Sequence, residues 1–69
     1  MQRLKVPDMN CAHCVQTIEK AIHALDPAAL VSCYLETSEV NIETILEPSR
    51  VSAALKAVGY DNTLLSAEA

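Results

Sequence analysis

The chain has no tryptophan and no phenylalanine, and Tyr34 and Tyr60 are its only aromatic residues. A core built on aromatic side chains is thereby excluded. The 51% of residues that are hydrophobic are mostly Ala, Val, Ile and Leu, a set that suits tight packing of helix on sheet. Basic residues are also scarce: five against nine acidic ones, for a net charge of -4. That is the wrong sign for binding a phosphate backbone, which needs clustered Lys and Arg, so nucleic acid is not an expected partner. No apolar run reaches the length of a signal peptide or a membrane span, and the N-terminal "MQRLKVPDM" meets a proline by residue 7. A soluble, cytoplasmic chain is expected. Glycine occurs once, at Gly59, and there is no low-complexity tract, repeat or linker.

Sixty-nine residues suffice for one core, since a chain of this size buries only ~60% of the surface it exposes when unfolded. A single domain over 1 to 69 is expected, with an ordered core over about 2 to 65. The three cysteines are odd in number, and Cys11 and Cys14 are too close in sequence to staple distant segments. A secreted disulfide framework is therefore disfavoured, and reduced thiols are expected.

Leu4 and Val6 alternate with Arg3 and Lys5, which predicts a strand over about 2 to 6 that Pro7 terminates. Val15, Ile18, Ala21, Ile22 and Leu25 recur at steps of three and four, the period of an amphipathic helix running from about 12 or 13 to 24. The Asp26–Pro27 pair ends it. Alternation returns in Ala29, Val31, Cys33 and Leu35, and again in Val40, Ile42, Thr44 and Leu46, on either side of "ETSE". These predict a hairpin whose second strand covers about 39 to 46. "EPSR" opens a second helix carrying Val51, Ala54, Leu55 and Val58, and Gly59 is placed to cap it in the left-handed conformation. A short last strand is expected at about 62 to 65, with a frayed tail over 66 to 69. The order βαββαβ predicts an α+β, ferredoxin-like sandwich: a four-stranded antiparallel sheet with both helices on one face.

The chemistry is concentrated in "CAHC". Cys14 falls in the first turn of helix one, where free backbone N–H groups favour a thiolate, and Cys11 precedes it on the loop. Two sulfurs can converge on one ion but cannot close the tetrahedral shell of structural zinc. Additional ligands would have to come from Cys33, His13 or His23. Cys33 shares the apolar face of its strand and reads as a core residue. His13 reads first as a solvated histidine, and otherwise as a labile extra ligand or one offered to a second molecule. His23 lies more than two turns beyond Cys14 and reads as a surface residue. A soft site of two sulfurs and low coordination number suits a monovalent d¹⁰ ion such as Cu(I). Such a site also lets an incoming thiolate attack the metal and carry it off. The same C-x-x-C is a thioredoxin-type cue, but the chain is short, has no tryptophan before Cys11, and carries Met9 and Asn10 there. An enzyme is not expected.

"VPDMNCAHC", with "GY" after the second helix, resembles the heavy-metal-associated domains of bacterial cytosolic copper chaperones and copper-pumping P-type ATPases, over about residues 3 to 65. The resemblance implies that Cys11 and Cys14 bind Cu(I). It implies that Met9 is an apolar plug under the loop and not a ligand. It implies that Tyr60 lies close to the metal loop, either shielding and tuning the site or closing the end of the sheet. It further implies transfer of copper to a copper-transporting P-type ATPase domain or a copper regulator. Zn(II), Ag(I) and Hg(II) are alternative ions in vitro, and a metal-bridged homodimer through two "CAHC" loops is an alternative assembly. A metal-binding domain of a heavy-metal ATPase, or a Zn(II)- or Hg(II)-binding relative, is the alternative identity. A free chaperone is favoured by Met1 standing directly before the first strand. Asp8 and "DPAA" stand where such chaperones often carry glycines. Asn10 stands where zinc-transporting relatives tend to carry an acid, leaving Asp8, three residues before Cys11, as the nearest carboxylate.

Overall fold

A computed structural model describes residues 1–67. Its elements are β1 (Gln2–Lys5), α1 (Ala12–Leu25), β2 (Leu30–Tyr34), β3 (Glu39–Glu43), α2 (Pro48–Ala57) and β4 (Thr63–Ala67). The strands form one sheet in the order β2-β3-β1-β4, and every neighbouring pair is antiparallel. This is the ferredoxin-like βαββαβ sandwich.

Strand pairing explains which side chains face the helices. Cys33 pairs with Val40 and Val40 with Leu4, while Val31 pairs with Ile42 and Ile42 with Gln2. This set forms the inner face. On the outer face Arg3 reaches Glu39 at 2.7 Å, an exposed ion pair of small energetic weight. Leu4, Val6, Met9, Ile18, Ile22, Val40, Ile42, Val51 and Leu55 are fully buried. Both tyrosines lie outside this fully buried set: Tyr34 is half exposed and Tyr60 packs against the margin. The aliphatic core expected from composition is therefore the one that forms.

Several boundaries differ from the sequence expectation. β3 stops at Glu43 and does not continue to 46, because the Thr44 hydroxyl donates to Asp26 Oδ2 (2.7 Å) and accepts from Leu46 N–H (3.2 Å). That side chain takes the place of a further ladder bond and turns the chain into α2. β4 runs over Thr63–Ala67, later and longer than 62 to 65. A register shift opposite Arg3 and Leu4 leaves Leu65 as an extra residue between the pairs Leu4↔Leu64 and Arg3↔Ser66. Ser66 and Ala67, expected in the tail, thus belong to the sheet, and residues 68 and 69 lie outside the described residues.

At the end of α2, Gly59 adopts φ +92°. Its N–H bonds Lys56 O (3.0 Å), and Tyr60 N–H bonds Leu55 O (2.9 Å). These paired bonds make a Schellman cap, for which glycine is the residue without a Cβ penalty. The cap has a positional consequence: it turns the chain so that Tyr60 arrives at the end of the sheet that carries the β1–α1 loop.

Candidate metal centre

The β1–α1 loop is held at both ends by the core. Val6 is fully buried, and its N–H bonds Ser38 O in the β2–β3 hairpin at 2.7 Å. Met9 N–H closes a tight turn on Val6 O at 3.0 Å, and the Met9 side chain is fully buried. Flexible and unbranched, Met9 fills the irregular gap beneath the loop. With Met9 anchored, Asn10 and Cys11 project at the sheet end.

Cys11 is the N-cap of α1, with extended backbone (φ -154°, ψ 166°), and its side chain makes no capping bond. Its carbonyl accepts from Val15 N–H at 3.2 Å, so the backbone starts the helix while the thiol stays free to point outward. Cys11 is exposed and Cys14, one turn on, is 9% exposed. Their sulfurs lie 3.2 Å apart. Around Cys14 Sγ are Asp8 O at 3.8 Å and Asn10 Oδ1 at 3.9 Å. The Tyr60 hydroxyl also donates toward Cys14.

This setting makes the two buried or half-buried thiols chemically opposite. The Cys14 pKa falls from the ordinary 9.0 to about 7, first through the Tyr60 hydroxyl, then through the backbone at Asn10 and the Cys11 thiol. The reciprocal effect raises Tyr60, whose phenol is harder to ionise beside a thiolate. Cys33 on β2 goes the other way, pushed up to about 11 by burial and by Glu19. Cys33 therefore stays a neutral, weakly nucleophilic thiol packed against the core, the placement expected from its strand pattern.

The remaining candidates do not gather at the dithiol. Among the described residues no group of three or more His, Cys, Asp or Glu is arranged to hold a metal ion. His13 is exposed on α1. His23 is exposed too, and its Nε2 lies 2.9 Å from Ala29 O, where it must act as donor, so it ties α1 to the chain entering β2. Asn10, read from sequence as a neutral spacer, contributes to the surroundings of Cys14 through both backbone and side chain. Its position directly before an N-cap cysteine was the available signal, since backbone groups there face the first turn.

Replacing Tyr60 by Phe removes the leading cause of the Cys14 shift, so the Cys14 pKa is expected to rise toward 9.0. Alkylation rate against pH, read by mass spectrometry at each cysteine, measures it; an unchanged profile would remove Tyr60 from the site. The linkage has a definite sign. A thiol depressed in the folded state binds protons more tightly when unfolded, so it adds stability above about pH 9 that is lost as pH falls through about 7.

The heavy-metal-associated domain family matches residues 3–61. No curated protein sequence matches the chain. Among solved structures, a gold binding protein shares 31% identity over 93% of this chain and 98% of its own, with a TM-score of 0.89. The copper chaperone Atx1 from Synechocystis shares 28% over 88% of this chain and 97% of its own, at 0.87. The N-terminal domain of ZntA in its apo form shares 25% over 96% of this chain and 92% of its own, at 0.84. Among the described residues no helix is long and apolar enough to cross a membrane.

Proposed function

The chain belongs to the heavy-metal-associated domain family, and on that premise we propose that it is a single-domain, cytoplasmic Cu(I) carrier that binds its cargo through Cys11 and Cys14. The observation that carries the reading is the pair of sulfurs 3.2 Å apart, with no third Cys, His, Asp or Glu among the described residues joining them. Two thiolates satisfy a soft d¹⁰ ion, whereas Zn(II) would remain short of ligands. The likeness to the Synechocystis copper chaperone supports the same ion.

Transfer follows from the asymmetry of the pair. Exposed Cys11 is the arm that an incoming thiolate displaces, while Cys14, held by Tyr60 and the loop backbone, retains the ion until a second incoming sulfur completes the exchange. No substrate bond is made or broken, so the chain is not an enzyme. The acceptor is a metal-binding domain of a copper-transporting P-type ATPase, and a second copy of the chain can take its place as a metal-bridged dimer. Met9 supports the loop from below, Tyr60 shields and tunes Cys14, and His13 stands outside the coordination shell.

A second reading, a zinc-binding ATPase domain, is favoured by the likeness to the N-terminal domain of ZntA. Against it stands neutral Asn10 directly before Cys11. Competition titrations under reducing conditions separate the two. The expected result is one Cu(I) per chain held against a Cu(I)-selective chelator, with Zn(II) lost readily to a zinc chelator. Tight Zn(II) binding beside weak Cu(I) binding would reverse the assignment.

A further inference from the structure

We propose that β2 is a self-complementary edge through which two copies of the chain pair, antiparallel and about a two-fold axis, extending the sheet from four strands to eight. The pairing does not depend on the carrier reading, because this edge runs along the side of the sandwich and holds neither Cys11 nor Cys14. β2 is the terminal strand of the order β2-β3-β1-β4 and pairs with β3 along one flank. Its other flank offers a row of backbone N–H and C=O groups, which proteins commonly blunt with a charge, a proline or a bulge. β4, at the opposite edge, is interrupted by the extra Leu65. β2 has none of these devices: "LVSCY" is uncharged, and its pairing with β3 runs unbroken from Leu30 to Tyr34. It is also apolar where it meets solvent, with Leu30 64% and Tyr34 50% exposed.

The side chains select one register. Residues directly opposite one another in an antiparallel pair share a face, so the two-fold axis passes through a residue of β2. Centred on Ser32, the pairing sets Leu30 against Tyr34 of the second copy on the outer face, and Val31 against Cys33 on the inner face. Aromatic and aliphatic side chains are favourable cross-strand neighbours. Centring on Cys33 would set Leu30 against Glu36, and centring on Val31 would leave Tyr34 against Ala28. In the Ser32 register Glu36 meets Ala28 and Leu35 meets Ala29. These alanines are small enough to enter the groove of about 500 Å³ lined by Cys33, Tyr34, Leu35, Glu36 and Thr37. No like charges oppose one another on β2. Glu39 and Glu43 lie one strand behind the edge, about 14 Å, or three strand spacings, from those of the second copy.

Size sets the strength. A tenth of the chain's 4200 Å² surface, the share a small protein commonly gives to an interface, is about 420 Å², or about half the 800 Å² per partner of a stable one. The dimer is accordingly weak, with a Kd of about 0.1–1 mM. Its two metal loops lie at opposite ends. The β2–β3 hairpin, whose Ser38 O holds Val6 N–H, adjoins the Tyr34 end of β2, and that end meets the Leu30 end of the second copy. A metal-bridged dimer through two "CAHC" loops is therefore a different assembly.

Sedimentation equilibrium of the reduced, metal-free chain up to about 2 mM, well above the weak-interface range, tests the pairing. The native chain is expected to dimerise, at least about threefold more tightly in 150 mM than in 10 mM salt, since two copies of charge -4 repel less when screened. Ser32→Glu opposes two carboxylates on the axis and is expected to weaken the dimer at least about tenfold. Thr63→Glu adds the same charge at the opposite edge and is expected to change it little. Ser32→Cys, in a chain whose native cysteines are all replaced by serine, reads the register. Counterparts on the axis have Cβ atoms about 4.5–5.5 Å apart, close to disulfide geometry. Crosslinking there is expected to be at least about tenfold faster than for Leu30→Cys or Thr63→Cys on the same background. Circular dichroism confirms that each variant is folded. A native chain that stays monomeric at the highest concentration, leaving the edge to a different occupant, would overturn the proposal. Tighter association at low salt, or equal crosslinking at Ser32 and Thr63, would overturn it as well.

Discussion

Cys14→Ser is expected to weaken Cu(I) binding by at least about a thousandfold, or about 4 kcal/mol. Serine keeps nearly the same shape, but its oxygen is hard and stays protonated at neutral pH. The ion is then left with Cys11 alone, because among the described residues no third Cys, His, Asp or Glu joins the pair. The same lack of a substitute makes Cys11→Ser nearly as damaging. Cys33→Ser should leave affinity unchanged, since that thiol packs against the core and its pKa is pushed up to about 11. Chelator competition measures all three, with circular dichroism to confirm folding. Retention of full affinity by Cys14→Ser would remove the dithiol from the metal site.

Ile18→Ala is expected to have the largest effect on stability. Ile18 is fully buried on the inner face of α1. Truncating such a residue removes its transfer free energy and leaves a cavity, at a cost of about 2–5 kcal/mol. Small domains have total stabilities of about 0.05–0.15 kcal/mol per residue, so roughly 3–10 kcal/mol for this chain. The loss is comparable to the whole. A fall in Tm of about 10 °C or more is expected by thermal scan, against little change for Gln16→Ala on the exposed side of the same helix. A small shift for Ile18→Ala would mean that the α1 interface with the sheet is loosely packed.

The two variants probe separate layers of one helix. The apolar stripe of Cys14, Ile18 and Ile22 is buried, so α1 is seated by Ile18 and Ile22 while its first turn presents Cys14 at the rim. Because the seat and the rim belong to one rigid element, the thiol spacing depends on the sheet being folded. Ile18→Ala should therefore lower metal affinity only as far as it unfolds the chain.

Element order, both helices and the inner faces of β1 to β3 were legible because period-2 and period-3.6 patterns report burial directly. Leu4 and Val6, and Ile18 and Ile22, are placed as their spacing implies. The ends of β3 and β4 were not legible, since both depend on partners distant in sequence. Thr44 leaves the ladder for Asp26, 18 positions away, and the extra Leu65 is defined only by its pairing with β1. Local alternation carries no information about either.

At the metal loop the division is similar. Sequence alone determined that two thiols sit at a helix start, and that a soft ion of low coordination suits them. It also determined that Met9 precedes them and that one glycine stands ready to cap α2. Only the tertiary structure decided what lowers the Cys14 pKa to about 7 while that of Cys33 is pushed up to about 11. The lowering comes from Tyr60, 46 positions beyond Cys14, delivered by the Schellman cap at Gly59, and from the turn that sinks Met9 and draws Asn10 over the sulfur. A thiol's acidity is set by the dipoles and burial around it, and those are fixed by packing between segments that the chain's local pattern does not relate.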